Sequence, residues 1–264
     1  MPPLPSRLPH IVFALALGCG IVGLAPPSRA EATATPQKTI VLDPGHTPAL
    51  PGALGVRGIN ELVYNDTLTA QIAGALRASG FRVVLTRAPE QNIGLVQRAL
   101  IANSLHADLF LAIHHDSAQP QYLDKITDGN RIAYRSKRPL SGYSIFVSGF
   151  NPQYADSLRF ALGLGQRLLQ LGRVPSHHHA ENIPGENRPC LNPALGVYRY
   201  DNLAVLKRTA MPAALLEVGV IVDPDDERYV SNTVNQTRIA QAITTAIRQF
   251  FTPVTERNKA DKLQ

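Results

Sequence analysis

The ten residues Ala107-Asp108-Leu109-Phe110-Leu111-Ala112-Ile113-His114-His115-Asp116 decide how the rest of the chain is read. Residues 109–113 (LFLAI) are apolar without interruption. A run this short is below helix length, and it lacks the alternation of a strand with one wet face. It fits a strand buried on both sides, as in the middle of a parallel sheet. Polar side chains begin at its carboxyl end, with two histidines and an aspartate.

Working outward, residues 38–42 (KTIVL) form a second apolar run, stopped by the turn residues Asp43-Pro44-Gly45. Asn60 is placed to cap a helix running to about residue 79, in which Leu68, Ile72 and Leu76 recur four apart on one face, and Gly80 ends it. Strand 81–85, helix 95–106, strand 143–147 and helix 154–171, closed by Gly172, continue the alternation. Strands at 203–206 and 213–220 and an amphipathic helix over 233–251 complete it. The expected fold class is α/β: a mostly parallel twisted sheet of about six strands flanked by helices, in one catalytic domain. The expected division is a signal peptide at 1–30, a linker at 31–37, the domain at 38–252 and a polar tail at 253–264. Residues 118–140 and 173–202 are rich in Pro, Asn and charge and show no period, as in lids and binding loops.

With 264 residues, 44% apolar and 17% charged, the chain can bury one core but is short for two domains. Arg7 precedes an apolar run over 11–25, broken by Gly18, Gly20 and Gly23. That run falls short of the roughly 20 residues of a spanning helix. Ser28-Arg29-Ala30 offers small residues at the positions a signal peptidase reads. Export to the periplasm or outside is therefore expected, with no stable membrane insertion after cleavage. Cys19 follows Ala16-Leu17-Gly18, with Ala where a lipid-attachment site usually has a branched aliphatic residue. The mature chain would keep Cys190 alone and have no internal disulfide. Removing residues 1–30 takes away Arg7 and Arg29 and no acids, so the formal charge of +6 becomes +4. A modest positive balance suits an anionic partner such as a cell wall or a membrane surface, and export argues against nucleic acid.

His46 lies just past the first strand and His114 at the carboxyl end of the third. In an open parallel sheet, ligands bind beyond the carboxyl ends of the strands, so both imidazoles face one crevice. Glu61 opens the helix after the first strand and starts on the same rim. Two His and one Glu form a catalytic zinc set that leaves a fourth position for water. Glu217 stands in the apolar stretch Ala214-Leu215-Leu216-Glu217-Val218-Gly219-Val220. A buried carboxylate costs several kcal/mol unless something compensates it, and a general base beside a metal is one such case.

These pieces carry a resemblance. VLDPGH at 41–46, GINE at 58–61, LTR at 85–87, Leu95 with Arg98, Ala102-Asn103, ADLFLAIHHD at 107–116 and MPAALLEVGVI at 211–221 occur in order over nearly all of 38–251. The chain resembles the zinc-dependent N-acetylmuramoyl-L-alanine amidases of the AmiA/AmiB/AmiC type. The resemblance implies Zn2+ held by His46, Glu61 and His114, with Glu217 as the catalytic glutamate. It implies peptidoglycan as substrate, cut at the amide between N-acetylmuramic acid and L-alanine, and an activator protein as a further partner. Glu217 would take a proton from water and return it to the departing nitrogen. Ala112-Ile113-His114-His115-Asp116 stands where the family usually reads Ser-Ile-His-Ala-Asn, and Val220-Ile221-Val222-Asp223 stands for Phe-Ile-Ser-Asn.

Other readings stay open. The bond could be another wall amide cut by a zinc peptidase or deacylase, or the protein could be a silent wall-binding regulator. His115 and Asp116 read as groups that orient ligands or merely end a strand, and alternation turns His115 away from the face of His114. His177-His178-His179 reads as part of a surface loop or mobile lid rather than the catalytic site. Residues 173–202 are a candidate inhibitory lid, with Glu181 and Glu186 able to reach the metal's open position. Arg87, Arg98 and Asn103 read as structural, and Cys190 as a free thiol in a polar loop.

Overall fold

The computed structural model describes residues 37–253. The expected signal peptide, Cys19 and the tail beyond Pro253 lie outside the described residues. In chain order the elements are β1 (Thr39–Pro44), α1 (Glu61–Ala78), β2 (Arg82–Leu85), α2 (Leu95–Ser104), β3 (Leu109–Asp116), β4 (Leu123–Asp128) and β5 (Arg131–Ser136). They continue with β6 (Ser144–Val147), α3 (Tyr154–Gln170), β7 (Cys190–Asn192), β8 (Val197–Arg199), β9 (Ala213–Val220), α4 (Pro224–Ser231) and α5 (Thr233–Phe251).

Seven strands form one sheet in the order β2-β1-β3-β9-β6-β8-β7, and β4 and β5 form a separate antiparallel hairpin. The pairings from β2 to β9 and of β6 with β8 are parallel, while β6 meets β9 and β7 meets β8 antiparallel. The sheet is therefore mostly parallel, as expected, with a mixed far side.

Alternation sorts the residues of the central strands between two faces. Ile40 and Leu42, Leu109, Leu111 and Ile113, and Ala214 and Leu216 point into the larger core. That core is shared with α1, α3 and α5 through Leu68, Ile72, Phe160, Leu164, Ile243 and Ile247. Val41, Phe110, Ala112 and Ala213 point the other way, into a smaller cluster with Ala102 of α2, Leu206 and Met211. Asp43, His114, Leu215 and Glu217 have the parity of this thinner side, which leaves room for a cleft.

Three expectations need correction. Residues 203–206 form no strand; the chain turns there into a 3-10 helix at Leu206–Arg208, and Leu206 is buried under the sheet instead of pairing with it. Residues 118–140 contain the β4–β5 hairpin, and residues 173–202 contribute β7 and β8 to the sheet. Helix α4 was not foreseen, although Asp223 caps it through the backbone N–H groups of Asp225 and Asp226, and Pro224 sits at its start.

Candidate active site

The site begins at the turn after β1. His46 has φ 66°, in the left-handed region where a non-glycine residue is strained by about 1–3 kcal/mol. Two guanidinium groups hold it there: Arg87 Nε and Arg98 Nη2 donate to the His46 carbonyl at 2.8 and 2.6 Å. Arg87 also donates to the Gly45 carbonyl at 3.0 Å, and Arg98 to that of Pro44 at 2.7 Å. Arg98 is neutralised by the buried Asp43 at 2.6 Å, and Thr86 donates to the same carboxylate. Gly45 is required because a Cβ there would fall on the His114 imidazole.

Glu61, the first residue of α1, is buried between two imidazoles. Its Oε2 lies 2.8 Å from His46 Nε2 and its Oε1 lies 3.0 Å from His114 Nδ1. The backbone N–H groups of Ala53 and His115 and the amide of Asn65 also donate to it, each at 3.2 Å. Burial alone would raise this carboxyl, but the hydrogen bonds and charges of His114 and His46 outweigh it and hold it well below the usual carboxylate range. His46, Glu61 and His114 thus present three donor atoms within 4.8 Å of one another. Two imidazole nitrogens and a carboxylate oxygen fit a catalytic zinc site by donor type and number.

Glu217 is in register with His114 across the β3–β9 pairing, so the two side chains leave the sheet on one face. Its Oε2 is sealed from solvent and has no hydrogen-bond partner. Burial, and then the negative charges of Asp116 and Glu61, push its pKa well above the ordinary value, against a smaller opposing effect of His179. A carboxyl raised in this way is a stronger base than an ordinary one and so better suited to accept and return a proton.

The sequence profile of a family described as N-acetylmuramoyl-L-alanine amidase matches residues 40–249. The chain belongs to that family. The amidase is 24% identical over 236 residues to the N-acetylmuramoyl-L-alanine amidase AmiA of Escherichia coli K12, covering 81% of this chain and 76% of that one. The catalytic domain of the amidase CwlV from Bacillus (Paenibacillus) polymyxa var. colistinus superposes with a TM-score of 0.61 at 26% identity, over 81% of this chain and 98% of that one. The CwlD amidase of Clostridioides difficile, solved in complex with the GerS lipoprotein, shares the fold with a TM-score of 0.59 at 20% identity, over 81% and 98% of the two chains. The protein is accordingly a hydrolase of the peptidoglycan amidase class.

Beside His46 and His114 the amidase has a cleft of about 370 Å³, walled by Leu50, Ile93, Leu95, Leu203 and Val205. Leu203 and Leu215 separate it from a second hollow of about 160 Å³, lined by Glu217, His179, Glu186 and Arg188. The first hollow is mostly apolar beside the two imidazoles, and the second carries the polar groups.

His115 behaves as alternation requires. Its ring is turned to the α1 side, bonded through Nδ1 to Asn65 Oδ1 at 2.8 Å and packed on Tyr64, and burial lowers its pKa to about 3. The reading of the His tract as surface loop or lid is wrong for two of its members. His178 and His179 are buried, and both meet Asp116, which reaches them from the end of β3. Burial opposes charge on His179, but Asp116 and then Glu186 outweigh it and push its pKa up to about 10. The acids proposed to plug the metal are also spoken for. Glu181 pairs with Arg138 and accepts from the Tyr122 hydroxyl at 2.8 Å, while Glu186 bonds His179 and Gln119, each at 2.9 Å. The inhibitory-lid reading therefore loses its two ligands.

Sequence reasoning did not find the partnership of Asn65 with Glu61 and His115. Its signal was the spacing of four from Glu61 on one helix, which stacks the two side chains. The meeting of Asp116 with His178 and His179 was not foreseen either, although Asp116 stands two beyond His114 on the same parity. Arg87, Arg98 and Asn103 hold the turns expected of them, with Asn103 bonding the Arg208 carbonyl at 2.9 Å and the Ala210 N–H at 2.8 Å. Cys190 lies half-buried in β7 instead of a loop, and burial raises its thiol pKa.

Proposed function

We propose that His46, Glu61 and His114 hold a zinc ion and that Glu217 carries the proton in hydrolysis of the amide joining N-acetylmuramic acid to L-alanine. The observation that carries this reading is the register of Glu217 with His114, which brings an unpaired, buried carboxyl oxygen beside the three-donor cluster. Zinc, when bound, supplies Lewis-acid activation of the scissile carbonyl and the attacking water. Glu217 takes the water proton as hydroxide attacks the carbonyl carbon, then returns it to the amide nitrogen as the carbon–nitrogen bond breaks. Asn65 and the His115 N–H fix Glu61 in place, and the Arg87–Arg98 pair fixes His46. Leu50, Leu95 and Leu203 offer the substrate an apolar surface beside the three donors.

Export and action in the periplasm or outside the cell remain part of the proposal and rest on residues 1–30. Among the described residues no helix is long and apolar enough to cross a membrane. A protein activator is likewise proposed; the CwlD amidase forms a complex with a lipoprotein, which supports a protein partner. The test is digestion of purified peptidoglycan followed by mass spectrometry. Intact stem peptides with a free L-alanine amine are the expected product; shortened stems still attached to muramic acid would reassign the bond.

A further inference from the structure

We propose that Asp116, His178 and His179 form a second metal site, for a divalent transition-metal ion of the zinc class. Their donor atoms lie within 4.8 Å of one another, as do those of the first cluster. The contacts match in scale: the Asp116 carboxylate lies 3.1 Å from His178 Nε2 and 2.7 Å from His179 Nε2, against 3.0 and 2.8 Å between Glu61 and its two imidazoles. His178 is buried with its side chain 5% exposed, and its Nε2 faces Asp116 yet makes no hydrogen bond. An imidazole nitrogen left unsatisfied and aimed at a carboxylate and a second imidazole is placed for a cation.

The surroundings are those of ligating histidines, which engage a neighbour through the ring nitrogen that does not bind metal. His178 Nδ1 is 2.7 Å from the Ser176 hydroxyl, and His179 Nδ1 is 2.9 Å from Glu186 Oε2. Glu186 is itself steadied by the Gln119 amide at 2.9 Å. Phe146 backs the His179 ring edge-on at 4.9 Å. Two imidazoles and one carboxylate select zinc-class ions over calcium or magnesium, which take oxygen donors. His179 lines the 160 Å³ hollow together with Glu217, so an ion has a path from solvent and would sit in the same hollow as the proton carrier.

The test is the metal content of the full chain, stripped with a chelator, saturated with zinc alone, desalted and measured by inductively coupled plasma mass spectrometry, with circular dichroism to check folding. Wild type is expected to hold two equivalents, and His114→Ala and the His178→Ala/His179→Ala double variant one each. A single equivalent in wild type that the double variant retains, or two retained in the double variant, overturns the proposal. Truncating two buried rings can unfold the segment, so Glu186→Gln is the second variant, with all three ligands kept. It should weaken one of the two equivalents by about 10–100-fold, and two unchanged isotherms would overturn the site. Failure of the first centre appears separately, as an equivalent that His114→Ala does not remove.

Discussion

Glu217 combines two costs that a strand residue normally avoids, a carboxyl oxygen sealed from water and one without a partner. Leaving such a group unsatisfied costs about 1–3 kcal/mol. Burial, and then repulsion from Asp116 and Glu61, raise its pKa and so make the carboxylate a stronger base. Glu217→Gln preserves shape and removes the titrating proton. It should lower turnover by at least about 10²–10⁴-fold while leaving zinc bound and the melting temperature no lower. Activity within tenfold of wild type would remove Glu217 from the reaction. Cys190 illustrates the reverse case of a residue kept inert. Burial raises its thiol pKa above the ordinary value, and only the thiolate is nucleophilic. Its alkylation by iodoacetamide at pH 8 should be slower than that of a cysteine peptide, and should accelerate as pH rises toward the raised pKa. Equal rates at pH 8 would contradict the shift. Neither property could be read from the residues alone, because both depend on what is packed around them.

At the scale of elements, the turn after β1 does the positioning. Gly45 lets the backbone pass under His114, and the Arg87–Arg98 pair holds His46 in the left-handed region. Gly45→Ala should push the His114 ring aside and weaken zinc binding at the first centre at least tenfold, with the circular dichroism spectrum preserved; unchanged affinity would refute this contact. Arg98→Ala strands the buried Asp43 without its cation, and removing one partner of such a pair costs about 3–5 kcal/mol. Urea unfolding measures that loss, and a change under 1 kcal/mol would mean that Thr86 alone satisfies Asp43. Helices α3 and α5 were legible because their apolar period is local, with Gly172 marking where α3 stops; the Asn232 side chain that caps α5 is a local signal the sequence also carries. The hairpin β4–β5 was not, since its strands mix apolar and charged residues without clean alternation. Residues 203–206 misled for another reason. A four-residue apolar run serves a strand or a buried turn equally, and the choice falls to whether a pairing edge is free.

At the scale of the molecule, the first centre joins three separated pieces: the turn after β1, the start of α1 and the end of β3. An ion bound only by the folded chain adds stability, about 2.7 kcal/mol at a free concentration one hundred times Kd. Chelation should therefore abolish activity and lower the melting temperature by several degrees, and zinc should restore both. A melting temperature indifferent to chelator would mean that the three residues share no ion. Both hollows lie on one face of the sheet for a topological reason. Alternation puts Asp43, His114 and Glu217 on the face that α2 and the 206–208 turn cover thinly, while α1, α3 and α5 fill the other.

The sequence by itself determined the alternation of strand and helix, the rim on which His46, Glu61 and His114 meet, and the anomaly of a carboxyl at Glu217. Apolar runs and the points where they stop are local, and the carboxyl-end rule needs nothing more. Only the tertiary structure decided that His114 and Glu217 stand in register, that β6 joins β9 antiparallel, and that His178 and His179 lie buried against Asp116. Those contacts join residues more than sixty positions apart. No spacing in the chain encodes them: the first two follow from which strands pair in the sheet, and the third from how the 173–202 segment packs back on it.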